Sequence, residues 1–149
     1  MKSVPIQILL AEDNPGDVYL VRLALEQSGL NFALVEVTDG EQAVRYLNAV
    51  GEDDAALAPA IVLLDLNLPR VDGKNVLEHL RTIPKCLDTR AIVLTSSEYP
   101  ADRADVDRLG ADCYFHKPQD LEAFLKLGDL LVSMCSEGKS ETPQRLPRK

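Results

Sequence analysis

No apolar segment in the 149 residues approaches the roughly 20 residues needed to span a bilayer. The opening MKSVPIQILLAEDN has too short an apolar run before Glu12 to serve as a secretory signal. These absences argue against a membrane or exported protein and predict a cytoplasmic one. Cysteine is scarce: Cys86, Cys113 and Cys135 form no CxxC pair and leave an odd count, which argues against a disulfide framework or a zinc site. Reduced, mostly buried thiols are expected. Basic charge is in deficit, with 16 Lys and Arg against 24 Asp and Glu and a net charge of -8. A surface that gathers nucleic-acid phosphates needs a basic stripe, so proteins are the expected partners. There is no internal repeat, and the length suits one domain whose 46% hydrophobic residues suffice for a core.

What the sequence does contain is an alternation. Short aliphatic runs (IQILLA, FALVEV, AIVLLD, AIVLTS, DCYF) are separated by longer stretches with helical spacing. That pattern predicts repeated strand–helix units and hence a parallel sheet with helices on both faces. The first helix is punctuated by Asn14 as N-cap, Pro15 at the first helical position, Asp17 in the first turn and Gly29 past the end. A second helix is expected from near Asp39, a third from near Gly73, and a fourth over Pro100 to Leu109 closed by Gly110. The fifth is expected from near Gln119 to about Cys135, with Gly128 inside it costing roughly 1 kcal/mol relative to alanine. One domain over 1–135 is predicted, followed by a polar, proline-containing tail over 136–149 expected to be disordered.

The run IVLLDLNLP places a carboxylate, Asp65, directly after four aliphatic residues. A charge at the end of a strand buried on both faces needs a cationic partner, because desolvating it is costly. In an open parallel α/β sheet, ligands bind outside the carboxyl ends of the strands. The residues predicted there are Glu12 and Asp13 after the first strand, Asp65 after the third, Thr95 after the fourth, and Lys117 followed by Pro118 after the fifth. Three crowded carboxylates take up protons unless a cation sits among them. Magnesium suits the set, since it accepts one or two carboxylates, keeps several waters and completes its octahedron with phosphate oxygens. Asp65 can then act as a nucleophile toward a phosphoryl donor, with charge neutralised by magnesium and Lys117.

This constellation, over residues about 4 to 135, resembles the CheY-like receiver domain of bacterial response regulators. The intervals from Asp65 to Thr95 and from Thr95 to Lys117 agree with that family. The resemblance implies a doubly wound, flavodoxin-like fold with five parallel strands in the order 2-1-3-4-5. It makes Asp65 the phosphoacceptor, and Asp13, Asp65 and the Asn67 backbone carbonyl direct magnesium ligands, with Glu12 acting through water. Thr95 and Lys117 would bind the phosphoryl group, Thr95 and Tyr114 would form the switch, and Lys117-Pro118 would be a cis peptide. Asn67 and Ser97 occupy the places that flank the attacking water and would set phosphoryl lifetime. Glu12 departs from the family's more frequent Asp but still supplies a carboxylate.

The implied function is a stand-alone response regulator that takes a phosphoryl group from a histidine kinase or phosphotransfer protein and signals by protein contact. The DLNLP segment, the stretch TIPKCLDTRAIVLTSS and the lack of an output domain resemble the subgroup serving phytochrome-type kinases. The alternative is a receiver-like interaction module that works without phosphorylation. A haloacid-dehalogenase-like phosphatase would need a second Asp two positions after Asp65, where Asn67 stands. A dinucleotide-binding domain would need glycines that AEDNPGD lacks.

In the fifth helix, Leu121, Phe124, Leu125, Gly128, Leu131 and Val132 share one face, which is expected to cover the sheet. Leu127, Leu130 and Met134 form a second stripe. Receivers commonly pair through the fourth helix, fifth strand and fifth helix, so this stripe is expected to form a homodimer interface.

Overall fold

The computed structural model describes residues 4–139, so positions 140–149 of the expected tail lie outside the described residues. Strands β1 (Ile6–Ala11), β2 (Phe32–Val37), β3 (Ile61–Asp65), β4 (Arg90–Thr95) and β5 (Cys113–His116) alternate with helices α1 (Pro15–Ser28), α2 (Gly40–Glu52), α3 (Gly73–Leu80), α4 (Pro100–Arg108) and α5 (Leu121–Lys139). All strand pairs are parallel, in the order β2-β1-β3-β4-β5. This is the doubly wound α/β fold expected from the sequence.

Strand alternation divides the core in two, because successive side chains point to opposite faces. Ile8 and Leu10 of β1, Ile61 and Leu63 of β3, and Ile92 and Leu94 of β4 pack with Val21 and Leu25 of α1 and Phe124 and Leu131 of α5. Leu9, Val62, Leu64 and Val93 face the other way, onto Leu47 of α2, Val76 and Leu77 of α3, and Val106 of α4. β3 is central and buried at all five positions, which is why its sequence is a continuous aliphatic run rather than an alternating one.

The helix starts follow their caps. The side chains of Asn14, Asp39 and Asp72 each accept a backbone N–H three residues on, and Gly29 and Gly110 take positive φ, 81° and 100°. No disulfide links the three cysteines, and burial raises the thiol pKa of Cys86 and Cys113. Among the described residues no helix is long and apolar enough to cross a membrane.

Helix α5 corrects the expectation made for it. Its buried face is Phe124, Leu127, Gly128, Leu131 and Met134, with Leu130 partly buried against the same core, whereas Leu121 and Val132 are 49% and 36% exposed. The stripe expected to pair two copies is therefore covered by the protein's own sheet and α1, and the dimer interface inferred from Leu127, Leu130 and Met134 falls with it. Two contacts set this phase. Phe124 meets Phe115 of β5 edge to face with centroids 5.9 Å apart, and Gly128 abuts α1 so closely that a Cβ would lie 2.7 Å from the Ala24 carbonyl oxygen. Glycine thus marks the rim of the buried face, where its small size permits the approach of α1. The helix also runs four residues past Cys135, to Lys139.

Candidate metal and phosphoryl site

The carboxyl ends of β1, β3, β4 and β5 bring the predicted residues together. Glu12 follows β1 and is fully buried, while its neighbour Asp13 is exposed. Asp65 ends β3 at 5% exposure and Thr95 ends β4 at 0%. Lys117 follows β5; its backbone N–H donates to the Thr95 carbonyl at 2.8 Å, and its side chain is only 10% exposed.

Lys117 is the cation that the buried Asp65 requires. Its Nζ lies 2.8 Å from Glu12 Oε1 and 3.5 Å from Asp65 Oδ2, and it donates a hydrogen bond to Asp17 Oδ2 at 2.8 Å. These carboxylates raise the lysine's pKa against the opposing effect of burial. Glu12 is pushed up to about 7, chiefly by burial and further by Asp65, with Lys117 pulling the other way. Although Glu12 Oε1 is close to the ammonium, it finds no hydrogen bond of good geometry, while Oε2 accepts from the Asn14 N–H at 3.2 Å.

Glu12, Asp13 and Asp65 each offer a carboxylate oxygen within 4.8 Å of the others. Three hard oxygen donors, one of them orphaned and buried, fit a divalent cation that prefers oxygen. Asp65 Oδ1 accepts from the Asn67 N–H at 3.1 Å, which folds the following loop back over the carboxylate. That loop is clamped to α2. The Gly40 N–H donates to the Pro69 carbonyl at 3.0 Å, and a side chain at Gly40 would collide with the Val71 carbonyl. Arg70 takes φ 72°, unusual for a side chain of this kind, with Asp39 and Glu41 at 3.6 and 3.4 Å.

Thr95 Oγ1 accepts from the Ser97 N–H at 3.0 Å. The Ser97 hydroxyl donates to Asp102 of α4 and accepts the Tyr99 N–H, so it is committed to the start of α4. Lys74 of α3 binds Asp102 and Asp105 at 2.7 and 2.8 Å, which lowers both carboxyl pKa values. Tyr114 is partly buried; its hydroxyl donates to the Ser97 carbonyl at 3.2 Å, and Arg103 lies 4.9 Å over its ring. The Lys117-Pro118 peptide is trans, as no cis bond occurs among the described residues. That corrects the expectation carried by the resemblance. An X–Pro bond favours trans by about 0.5–1 kcal/mol, and this loop satisfies the Lys117 N–H and places its ammonium without the cis form.

Sequence reasoning did not anticipate the role of Asp17 as a partner of Lys117, nor the Lys74–Asp102–Ser97 chain. The helix-cap pattern at Asn14 signals where Asp17 lies, but only the tertiary arrangement shows what it meets.

The model of the response regulator receiver domain matches residues 8–127. Response regulator Rcp1 of Synechocystis sp. (strain ATCC 27184 / PCC 6803 / Kazusa) is 34% identical over 123 residues, covering 83% of this chain and 84% of Rcp1. The phosphorylated cyanobacterial phytochrome response regulator RcpA superimposes with a TM-score of 0.79 at 32% identity, covering 88% of this chain and 94% of RcpA. The Mn(2+)-bound form of Rcp1 gives a TM-score of 0.78 at 30% identity, covering 97% and 99%. The chain spans less than half the length of the transcriptional regulators it also matches. Sheet order, acidic pocket, buried lysine and family match agree: the chain belongs to the response regulator receiver domain family, the phosphoacceptor proteins of two-component signalling.

Proposed function

We propose that Asp65 is the phosphoacceptor and that its donor is the phosphohistidine of a kinase or phosphotransfer protein. The observation that carries this reading is a nearly buried ammonium, Lys117, 3.5 Å from an acceptor carboxylate at the end of the central strand. An Asp65 carboxylate oxygen forms the new bond to phosphorus as the bond to the donor nitrogen breaks, and the imidazole leaves with that electron pair. Lys117 pairs with the transferred group, and the Thr95 hydroxyl donates to one of its oxygens.

Magnesium is the metal proposed, held by Asp13, Asp65 and the Asn67 carbonyl, with Glu12 acting through water. When bound it would neutralise charge on the phosphoryl oxygens. Asn67, whose backbone touches Asp65, tunes phosphoryl lifetime, and Ser97 contributes by tethering the loop after Thr95. Thr95 and Tyr114 pass the change to α4 through the Ser97 segment. Self-directed uptake from small donors and loss of its own phosphoryl group complete the chemistry. The likeness to RcpA, a phytochrome response regulator, supports a phytochrome-type kinase as the input; a protein contact as the output and the cytoplasm as the setting complete the proposal.

The test is phosphoryl uptake from acetyl phosphate with and without magnesium. Uptake in the parent that needs magnesium and vanishes in Asp65→Asn is expected. Equal uptake by that variant would overturn the assignment, and no uptake by the parent would favour an interaction module that works unmodified.

A further inference from the structure

Asp17 and Lys117 are 100 positions apart in sequence, yet the ammonium donates to Asp17 Oδ2 at 2.8 Å. The placement is local in origin. Asn14 Oδ1 accepts the Asp17 N–H at 3.0 Å, which fixes the first turn of α1 and aims the carboxylate from it. An acid in this turn commonly faces water and complements the helix dipole. Here the side chain is 25% exposed and bound to a lysine side chain that is 10% exposed. A lysine has three N–H donors. The Lys117 Nζ lies 2.8 Å from Glu12, 2.8 Å from Asp17 and 3.5 Å from Asp65 and donates its hydrogen bond to Asp17, so the acceptor has the longest contact of the three.

We propose that Asp17 is a positioning residue that holds the Lys117 ammonium back from Asp65 in the unmodified protein and thereby slows phosphoryl uptake; the proposal rests on Asp65 being the acceptor. A phosphoryl group brings up to about two negative charges and three acceptor oxygens to Asp65. Lys117 neutralises them only as far as its ammonium moves toward them. An interaction that is strong before transfer and weaker during it raises the barrier, because catalysis depends on what strengthens in the transition state. Asp17 is such an interaction, made to the same ammonium that lies 3.5 Å from Asp65. Replacing the carboxylate leaves the Asn14 cap in place, since the cap uses the Asp17 backbone N–H.

The experiment compares initial rates of phosphoryl uptake from acetyl phosphate at saturating magnesium in the parent, Asp17→Asn, Asp17→Ala and Asp17→Glu. In each event the Asp65 oxygen bonds to phosphorus while the phosphorus–oxygen bond to acetate breaks, and acetate leaves with the electron pair. The two neutral variants should take up phosphate at least threefold faster, with Asp17→Glu near the parent. A role confined to the helix start would lower the melting temperature of Asp17→Asn and leave its rate unmoved. Unchanged or slower uptake in both neutral variants would therefore overturn the proposal. A second readout does not depend on rate: the Asp17 carboxyl carbon resonance of the parent should shift on adding beryllofluoride, a phosphoryl mimic, as Lys117 leaves it. A resonance that stays put while the mimic binds would also overturn the proposal. Failure of the parent itself to take up phosphate or bind the mimic would instead overturn the acceptor assignment, and this inference with it.

Discussion

Gly73 rests directly on the backbone of Asp65: a Cβ at Gly73 would overlap the Asp65 carbonyl oxygen and stand 2.6 Å from Leu66 Cα. The Gly73 N–H donates to the Leu66 carbonyl at 2.9 Å, so α3 begins against the end of β3. Backbone atoms of a buried strand cannot yield as a flexible side chain would. Gly73→Ala should therefore destabilise the fold by about 1–3 kcal/mol, as overpacking does, and weaken magnesium binding by displacing Asp65. Urea denaturation with and without magnesium measures both effects.

Glu12 sets a pH dependence whose sign follows from its raised pKa of about 7 against an ordinary 4.5. Below the unfolded value the carboxyl is protonated in both states and its burial carries no charge penalty. As pH rises through 4.5 toward 7 the unfolded chain ionises first, so the metal-free protein loses stability, by about 3 kcal/mol once pH exceeds the folded value. Glu12→Gln should flatten this slope and be the more stable form at pH 8 without metal.

The same proton competes with the cation. Magnesium affinity of the parent should rise with pH and level off above about 7, the value to which Glu12 is pushed up. Calorimetric titrations at pH 6 in buffers of different ionisation enthalpy should report proton release, and Glu12→Gln should release fewer protons.

The phase of α5 makes a sharp contrast between two aliphatic positions. Leu127 is fully buried, so Leu127→Asp places an unpaired carboxylate in the core and should cost about 4 kcal/mol or more. Val132 is 36% exposed, and Val132→Asp should change stability by about 1 kcal/mol at most. Similar denaturation midpoints for the two variants would contradict the observed packing.

Asp102 ties the loop after β4 to α3 through Ser97 and Lys74. Asp102→Ala should raise hydrogen exchange several-fold in the first turn of α4 while leaving the midpoint of unfolding nearly unchanged, because the pair lies at the surface. Exchange confined to its parent rate would show that the loop is held by other contacts.

Local features of this fold were readable from sequence because their causes are local. Asn14, Asp39 and Asp72 cap helices through atoms three residues away, and β3 reads as buried on both faces because both faces are covered. The carboxylates and the lysine were found through strand ends, which a parallel sheet gathers at one edge. The phase of α5 was misread because periodicity alone cannot show that Gly128 must abut Ala24, or that Phe124 must meet Phe115. The contact of Asp17 with Lys117 joins α1 to the loop after β5, and nothing near either residue announces it.

The pleat of β1 gives the two neighbouring acids opposite fates. Leu10 faces α1 and α5 and Ala11 faces the other layer, and directly beyond them Glu12 turns inward to Lys117 while Asp13 faces solvent. Inserting one residue into Ile6–Ala11 would exchange both core faces and set the wrong acid beside the lysine, so a frame error in the strand becomes an error in the chemistry. Insertions around the exposed positions 53–55, after α2, leave that frame untouched. Length variation in this chain is thus confined by the site's parity to the connections that do not lead into a carboxylate.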